Sequence, residues 1–130
     1  MRNWRFIKAL GYAVEGVSYA IRTQPNMRFH VFAAVVVLII GGVLLRTPVE
    51  WALIILAIGF VWVTELLNTS IEAMVDLLSP EIRERAKVAK DVAAGAVLVA
   101  SMVAVGVGGV VFGARLGGVF EFVVERTRGF

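Results

Sequence analysis

Polar side chains recur at helical spacing in the segment TELLNTSIEAMVD, which covers residues 64–76. At 100° of rotation per residue, four of them share one helical stripe about 80° wide: Glu65, Asn68, Glu72 and Asp76. Carboxylates on one face of a helix can hold a divalent cation or accept the proton of a hydroxyl group. The spacing therefore predicts a site for charged or proton-transferring chemistry.

The same stripe has a plainer structural interpretation. It follows fourteen uncharged residues from Trp51 to Thr64. Polar side chains on membrane helices often hydrogen-bond to neighbouring helices, and Asn68 alone fits that role. Each charged residue near a membrane centre costs about 2.5–3.5 kcal/mol on insertion scales, and less near the interface. The two carboxylates Glu65 and Glu72 therefore favour a functional site.

A second polar group, Lys90 and Asp91, precedes the last apolar run. As a simple charged loop, it would use Asp91 as a helix N-cap and Lys90 as a topology signal. Combined with the stripe, it completes the parts needed for phosphoryl transfer. These are acids for a cation, an acid for a hydroxyl proton and a lysine to neutralise phosphate. The sequence contains no Walker-type glycine loop.

Apolar segments of membrane-spanning length must position these groups. The chain has 130 residues, and its 59% hydrophobic content exceeds the ~45–50% of soluble domains. Three spans are predicted, at residues 29–45, 49–78 and 88–114. The second helix would be about 45 Å long, so it extends past the bilayer core and places Glu65 near the interface. No cysteine is present, so thiolate chemistry is excluded.

The N-terminal residues 3–22 have a helical period of a different kind. Their apolar side chains gather within an arc of about 100°, and polar side chains occupy another side. We expect an amphipathic helix that lies on the membrane surface, with Trp4 at the interface. Residues 24–26 then turn the chain into the first span. In the C-terminal tail, residues 115–130, a shorter amphipathic helix is expected.

The distribution of basic residues indicates the orientation. Nine of the thirteen Lys and Arg residues lie on the side of the N-terminus and the second connection, and four lie on the other side. The positive-inside rule places the nine in the cytoplasm. We expect a multi-pass protein of the bacterial cytoplasmic (inner) membrane. Because the basic residues are dispersed, no nucleic-acid partner is expected.

Four segments carry a family pattern: KALGYAVEG at 8–16, NMRFH at 26–30, ELLNTSIEAMVD at 65–76 and KVAKDVAAGAVL at 87–98. On these motifs the chain resembles the prokaryotic diacylglycerol kinase and undecaprenol kinase family of small integral-membrane lipid kinases. The resemblance implies an all-α homotrimer with active sites between subunits at the cytoplasmic interface. It also implies a lipid alcohol as acceptor and Mg²⁺ with ATP as phosphoryl donor.

The resemblance further implies roles for single residues. Glu65 matches the catalytic base that takes the proton of the lipid hydroxyl, and Glu72 matches a metal-binding glutamate. Tyr12 corresponds to an ATP contact, and Arg5 to a residue at the lipid and nucleotide edge of the site. The remaining matches are active-site polar residues and nucleotide contacts: Asn68, Asp76, Lys90 and Asp91.

The sequence departs from the family pattern at Gln24, two residues before Asn26. A glutamate is usual there and serves as the second metal ligand. An amide oxygen can also coordinate Mg²⁺, but it brings no charge. Residues 82–84 differ from the family as well, so nucleotide contacts are not carried over to them. His30 fits its motif, although a lone histidine at the start of an apolar helix is more typical of a structural residue.

The lipid alcohol is indicated by two of the motifs. NMRFH and AKVAKDVAAGAVL resemble the undecaprenol-kinase branch, which favours undecaprenol as substrate and undecaprenyl phosphate as product. The alternative is diacylglycerol, giving phosphatidic acid. Two other classes also fit intramembrane carboxylates: a small transporter or proton relay, and a non-catalytic family member that acts in binding or assembly.

Overall fold

The computed structural model describes residues 2–78 and 84–128, which form four α-helices. In chain order these are α1 (Arg2–Thr23), α2 (Pro25–Leu44), α3 (Pro48–Leu78) and α4 (Glu84–Arg128). No strand occurs within the two described ranges, so the predicted all-α fold is confirmed. Residues 79–83 lie outside the described part, and the predicted departure from the family at residues 82 and 83 falls there.

Three helices are long and apolar enough to cross a membrane: Pro25–Leu44, Pro48–Leu78 and Glu84–Gly118. With the N-terminal helix they give the predicted multi-pass membrane architecture. The helix α2 begins four residues before the start of the predicted first span. Residues 115–128 continue α4 without a break, so the tail is not a separate helix.

Prolines and caps set the start of two spanning helices. Gln24 has an extended backbone (φ −101°, ψ 116°) and is followed by Pro25 in the first turn of α2, where a missing N–H costs nothing. Thr47 and Glu50 form a capping box at the start of α3. The Glu50 N–H donates to Thr47 Oγ1 at 3.3 Å, and the Thr47 N–H donates to the Glu50 carboxylate at 2.9 Å.

Glu50 also joins α3 to α4. Arg115 donates from Nε and Nη2 to the two carboxylate oxygens, at 2.5 and 2.9 Å. The two side chains are 17% and 33% exposed, for Glu50 and Arg115 respectively. A two-pronged arginine–carboxylate pair adds geometric specificity as well as energy. It fixes the register of the two longest helices at the end of the bundle opposite to the stripe.

The helix α3 lies at the centre of the bundle, with α4 packed along it and α2 beside it. A small core of Leu45, Ile54 and Val111 lies between the spans. Many other apolar side chains face outward from the single chain; Leu56 is 69% exposed and Val105 is 75% exposed. Such surface suits hydrocarbon surroundings, because lipid tails are as apolar as these side chains.

The helix α1 packs against the bundle only through its last two turns. Ala20, near its end, is 1% exposed, whereas residues 4–16 are exposed throughout. Near the free end, the Lys8 ammonium lies 4.8 Å from the centroid of the Trp4 ring. The apolar face of α1 is therefore open to a membrane surface, as the amphipathic pattern of residues 3–22 requires.

Candidate active site

The stripe lies at one end of the bundle, where α2 and α4 begin and α3 ends; we refer to this as the polar end. There the structure brings Gln24 against Glu72, although the two are 48 residues apart in sequence. Gln24 Nε2 donates to Glu72 Oε2 at 3.4 Å. From one turn earlier on α3, Asn68 Nδ2 donates to Glu72 Oε1 at 3.1 Å. Both oxygens of the Glu72 carboxylate thus accept an amide N–H.

Glu65 has the opposite surroundings. Its side chain is only 1% exposed, and neither carboxylate oxygen has a hydrogen-bond partner. Asn68 Oδ1, on the same stripe, is also buried without a partner. Leaving a buried polar group unpaired costs about 1–3 kcal/mol, and more for a charged group. Three oxygens that can accept hydrogen bonds therefore lie buried without a donor, an arrangement that suits a hydroxyl group or a cation.

Two ion pairs lie beyond Glu72 at the polar end. Lys90 Nζ donates to Asp76 Oδ1, which ties the first turns of α4 to the last turns of α3. Asp91 pairs with Lys87 on its own helix at 2.9 Å. The carboxylates of Asp76 and Asp91 are 66% and 61% exposed. Exposed pairs contribute little to stability, so these charges remain available to a water-borne ligand.

Arg5 and Tyr12 make no hydrogen bond or ion pair to this group in the described part of the chain. Along α1, Tyr12 lies about 18 Å and Arg5 about 28 Å from Gln24 at 1.5 Å per residue. Tyr12 is 68% exposed, and Arg5 is exposed as well. A single chain therefore joins Gln24 to the stripe, but it leaves the side chains of Arg5 and Tyr12 exposed and without a polar contact to it.

The side-chain oxygens at the polar end fit a cation whose remaining coordination positions are filled by a bound ligand. In the described part of the chain, no three His, Cys, Asp or Glu residues converge to form a metal cage. Mg²⁺ is commonly held by one or two carboxylates together with substrate phosphates. Glu72, half-buried beside two amide side chains, provides one such carboxylate.

A cavity of about 270 Å³ lies in the apolar part of the bundle, about one helical turn from the stripe. On α3 it begins at Val61, one turn from Glu65, and extends along Ile58 to Ile54. These three residues lie within about 40° of Glu65 around the helix axis. Small residues of α4, such as Gly108, form the facing wall. The cavity is therefore an apolar continuation of the face that carries the buried carboxylate.

His30 lines the end of this cavity nearest the polar end. Its ring is half-buried and packs edge-to-face on Phe29, with 5.8 Å between ring centroids. Trp62 lines the cavity as well, and its indole Nε1 is buried without a partner. The sequence reasoning did not anticipate the cavity. Its signal is the small side chains spaced along α2 and α4, and they identify a cavity only once the helix pairing is known.

The matching family model and the similar proteins agree on one family. The model of the family described as "Prokaryotic diacylglycerol kinase" matches residues 11–112. Undecaprenol kinase of Bacillus subtilis (strain 168) is 42% identical over 108 residues, which cover 83% of this chain and 88% of that protein. Diacylglycerol kinase of Synechocystis sp. is 46% identical over 99 residues, 75% of this chain and 57% of that protein. Diacylglycerol kinase of Escherichia coli (strain K12) is 35% identical over 101 residues, 78% of this chain and 83% of that protein.

The fold and these matches define the class: an integral-membrane lipid kinase. The chain belongs to the prokaryotic diacylglycerol kinase family. The resemblance stated from the four sequence motifs is thereby confirmed.

Proposed function

We propose that this kinase transfers the γ-phosphoryl group of ATP to the primary hydroxyl of undecaprenol. The observation that carries the proposal is the position of Glu65. Its buried carboxylate has no partner and lies about one helical turn from Val61 and Trp62, which line the near end of an apolar cavity. A lipid alcohol is the ligand that can place a hydroxyl at such a carboxylate and a hydrocarbon chain in such a cavity.

Glu65 acts as the general base in this reaction. Its carboxylate accepts the hydroxyl proton while the lipid oxygen forms a bond to the γ-phosphorus. The bond between that phosphorus and the β,γ-bridging oxygen breaks, and ADP leaves. Burial excludes bulk water from Glu65, so the proton that it accepts comes from the bound alcohol.

Glu72 is the residue that would hold Mg²⁺ with the phosphates. The Gln24 amide lies beside it with its N–H toward Glu72, and it would turn its uncharged oxygen to the cation in order to coordinate it. When bound, the cation neutralises charge on the transferring phosphoryl group. Asn68 orients Glu72 through the 3.1 Å hydrogen bond. Lys90, Asp76 and Asp91 lie at the surface of the polar end, where they contact the nucleotide.

Undecaprenol is preferred over diacylglycerol for two reasons. The motifs around Asn26 and Lys90 resemble the undecaprenol-kinase branch. In addition, the match to the Bacillus subtilis undecaprenol kinase spans most of both chains. Diacylglycerol is the second candidate, supported by the 46% identity to the Synechocystis diacylglycerol kinase. Both alcohols present one primary hydroxyl, so the same catalytic group serves either.

The functional form in this proposal is a homotrimer whose sites lie between subunits. Support comes from Tyr12 and Arg5, which are exposed on α1. In an assembly, α1 of one subunit can complete the site of its neighbour. The positive-inside rule orients the trimer in the bacterial inner membrane, with the polar end facing cytoplasmic ATP.

Competition between the two alcohols tests the substrate assignment. Purified protein in one bilayer receives undecaprenol and diacylglycerol together with Mg²⁺ and labelled ATP. We expect a higher kcat/KM for undecaprenol. A clear preference for diacylglycerol would reverse the substrate choice and leave the kinase assignment intact.

A further inference from the structure

The Glu72 carboxylate is held on both sides by neutral amides. Gln24 donates to one oxygen and Asn68 to the other, at 3.4 and 3.1 Å. Asn68 lies on the same helix as Glu72, so its bond is local. Gln24 lies at the corner between α1 and α2, so its bond connects that corner to α3.

The backbone of this corner directs the Gln24 side chain toward α3. Its N–H donates to the Ala20 carbonyl at 2.9 Å, and its carbonyl accepts the Arg28 N–H at 3.3 Å. The side chain makes no capping hydrogen bond to α2, although Gln24 occupies the cap position. Ala20 and Met27, on either side of the corner, are 1% and 0% exposed. The corner is therefore packed, and the amide of Gln24 is free to bond Glu72.

We propose that Gln24 is a positioning residue that holds Glu72 and the α1–α2 corner in place before any cation binds. Its neutral N–H makes an attractive contact with the carboxylate, so the site is assembled in the metal-free protein. A glutamate at this position would place two carboxylates face to face, and their repulsion would require a cation between them. With Gln24, the corner between α1 and α2 is therefore held against α3 without Mg²⁺.

The identity of the cation and the role of Glu72 as its ligand rest on the proposed function. The hydrogen bond and its effect on the corner do not. For this reason the test uses the full-length protein in detergent, without nucleotide or lipid alcohol, and reads local structure instead of activity. Failure of the kinase proposal would leave the measurement unaffected.

Hydrogen exchange of the backbone amides at residues 26–30 gives the readout, in EDTA and in millimolar Mg²⁺. We expect equal protection of the wild-type corner in both conditions. With Gln24→Glu, exchange in EDTA should be faster by about tenfold and should return toward wild type with Mg²⁺. Thr23→Glu adds the same charge at the adjacent exposed position, and its exchange should not respond to Mg²⁺.

Exchange of the two side chains distinguishes loss of the hydrogen bond from general damage to the fold. Gln24→Glu combined with Glu72→Gln restores an amide–carboxylate pair with reversed polarity. This double variant should regain protection in EDTA, even if Gln24→Glu alone unfolds there. Two outcomes would overturn the proposal: Gln24→Glu protected like wild type in EDTA, or wild-type protection that rises strongly with Mg²⁺.

Discussion

Glu65 and Glu72 lie two turns apart on one face of α3, about 10 Å along its axis, in contrasting surroundings. Glu72 has both oxygens bonded to amides, whereas Glu65 is buried with neither oxygen paired. One helix face thus carries a carboxylate that is oriented by hydrogen bonds and a second carboxylate that has no hydrogen-bond donor. This contrast separates the cation-holding role of Glu72 from the proton-accepting role of Glu65.

Removal of the negative charge at Glu72 should weaken Mg²⁺-dependent nucleotide binding. Glu72→Gln keeps the size of the side chain but leaves the cation without its carboxylate ligand. ATP affinity, measured by titration at several Mg²⁺ concentrations, should fall and should lose most of its Mg²⁺ dependence. Unchanged affinity for both Mg²⁺ and ATP would count against Glu72 as the ligand. Glu121→Gln, an exposed change on the continuation of α4, provides the control.

Addition of a carboxylate at position 24 should lower the Mg²⁺ requirement. Gln24→Glu supplies a second acidic ligand beside Glu72, and recovery of about 1.4 kcal/mol corresponds to a tenfold lower half-maximal Mg²⁺ concentration. The measurement is activity against Mg²⁺ concentration at saturating ATP. If wild type already saturates at ordinary millimolar Mg²⁺ and the variant differs little, the amide is a sufficient ligand by itself.

Filling the apolar cavity should impair use of the lipid but not of ATP. Gly108 lines the cavity, and a Cβ placed there would meet only Phe112 Cδ2, at 3.9 Å. Gly108→Leu should therefore raise KM for undecaprenol, by about tenfold if roughly 1.4 kcal/mol of chain burial is lost. Gly106→Leu is the matched control. Gly106 lies two residues from Gly108 on the same helix, does not line the cavity and has open space around it. Equal effects of the two changes would show that the cavity does not hold the chain.

Sites completed by Tyr12 of one subunit and Glu65 of its neighbour should recover activity in mixed oligomers. Tyr12→Leu and Glu65→Gln each disable every site when present alone. In a trimer mixed in equal amounts, about a quarter of the sites receive both intact residues from neighbouring subunits. Co-purified mixtures should therefore regain about a quarter of the wild-type activity. Mixed oligomers that remain inactive would contradict sites shared between subunits.

The polar stripe was predictable from the sequence because it depends on local periodicity. Helical spacing alone places Glu65, Asn68 and Glu72 on one face, and the structure gives α3 over that whole segment. Membrane spans were predictable for a similar reason, since each is a continuous apolar run. The contact between Gln24 and Glu72 was expected from the family pattern rather than from periodicity, because it joins two helices.

Other features depend on how the helices pack, and the sequence pattern does not encode them locally. The pair between Glu50 and Arg115 joins positions 65 residues apart, and only its local part, the T-x-x-E capping box at Thr47, is visible in the sequence. The unbroken course of α4 also differs from expectation. Gly117 and Gly118 lower helix propensity, but they do not interrupt the helix.

The role of Glu65 in phosphoryl transfer is tested by following label from γ-labelled ATP into undecaprenol with purified wild type and Glu65→Gln. We expect labelled undecaprenyl phosphate from wild type and a kcat lower by roughly 10²-fold or more in the variant, with nucleotide binding largely intact. Turnover by Glu65→Gln at the wild-type rate, or no labelled lipid from wild type with either undecaprenol or diacylglycerol, would contradict it.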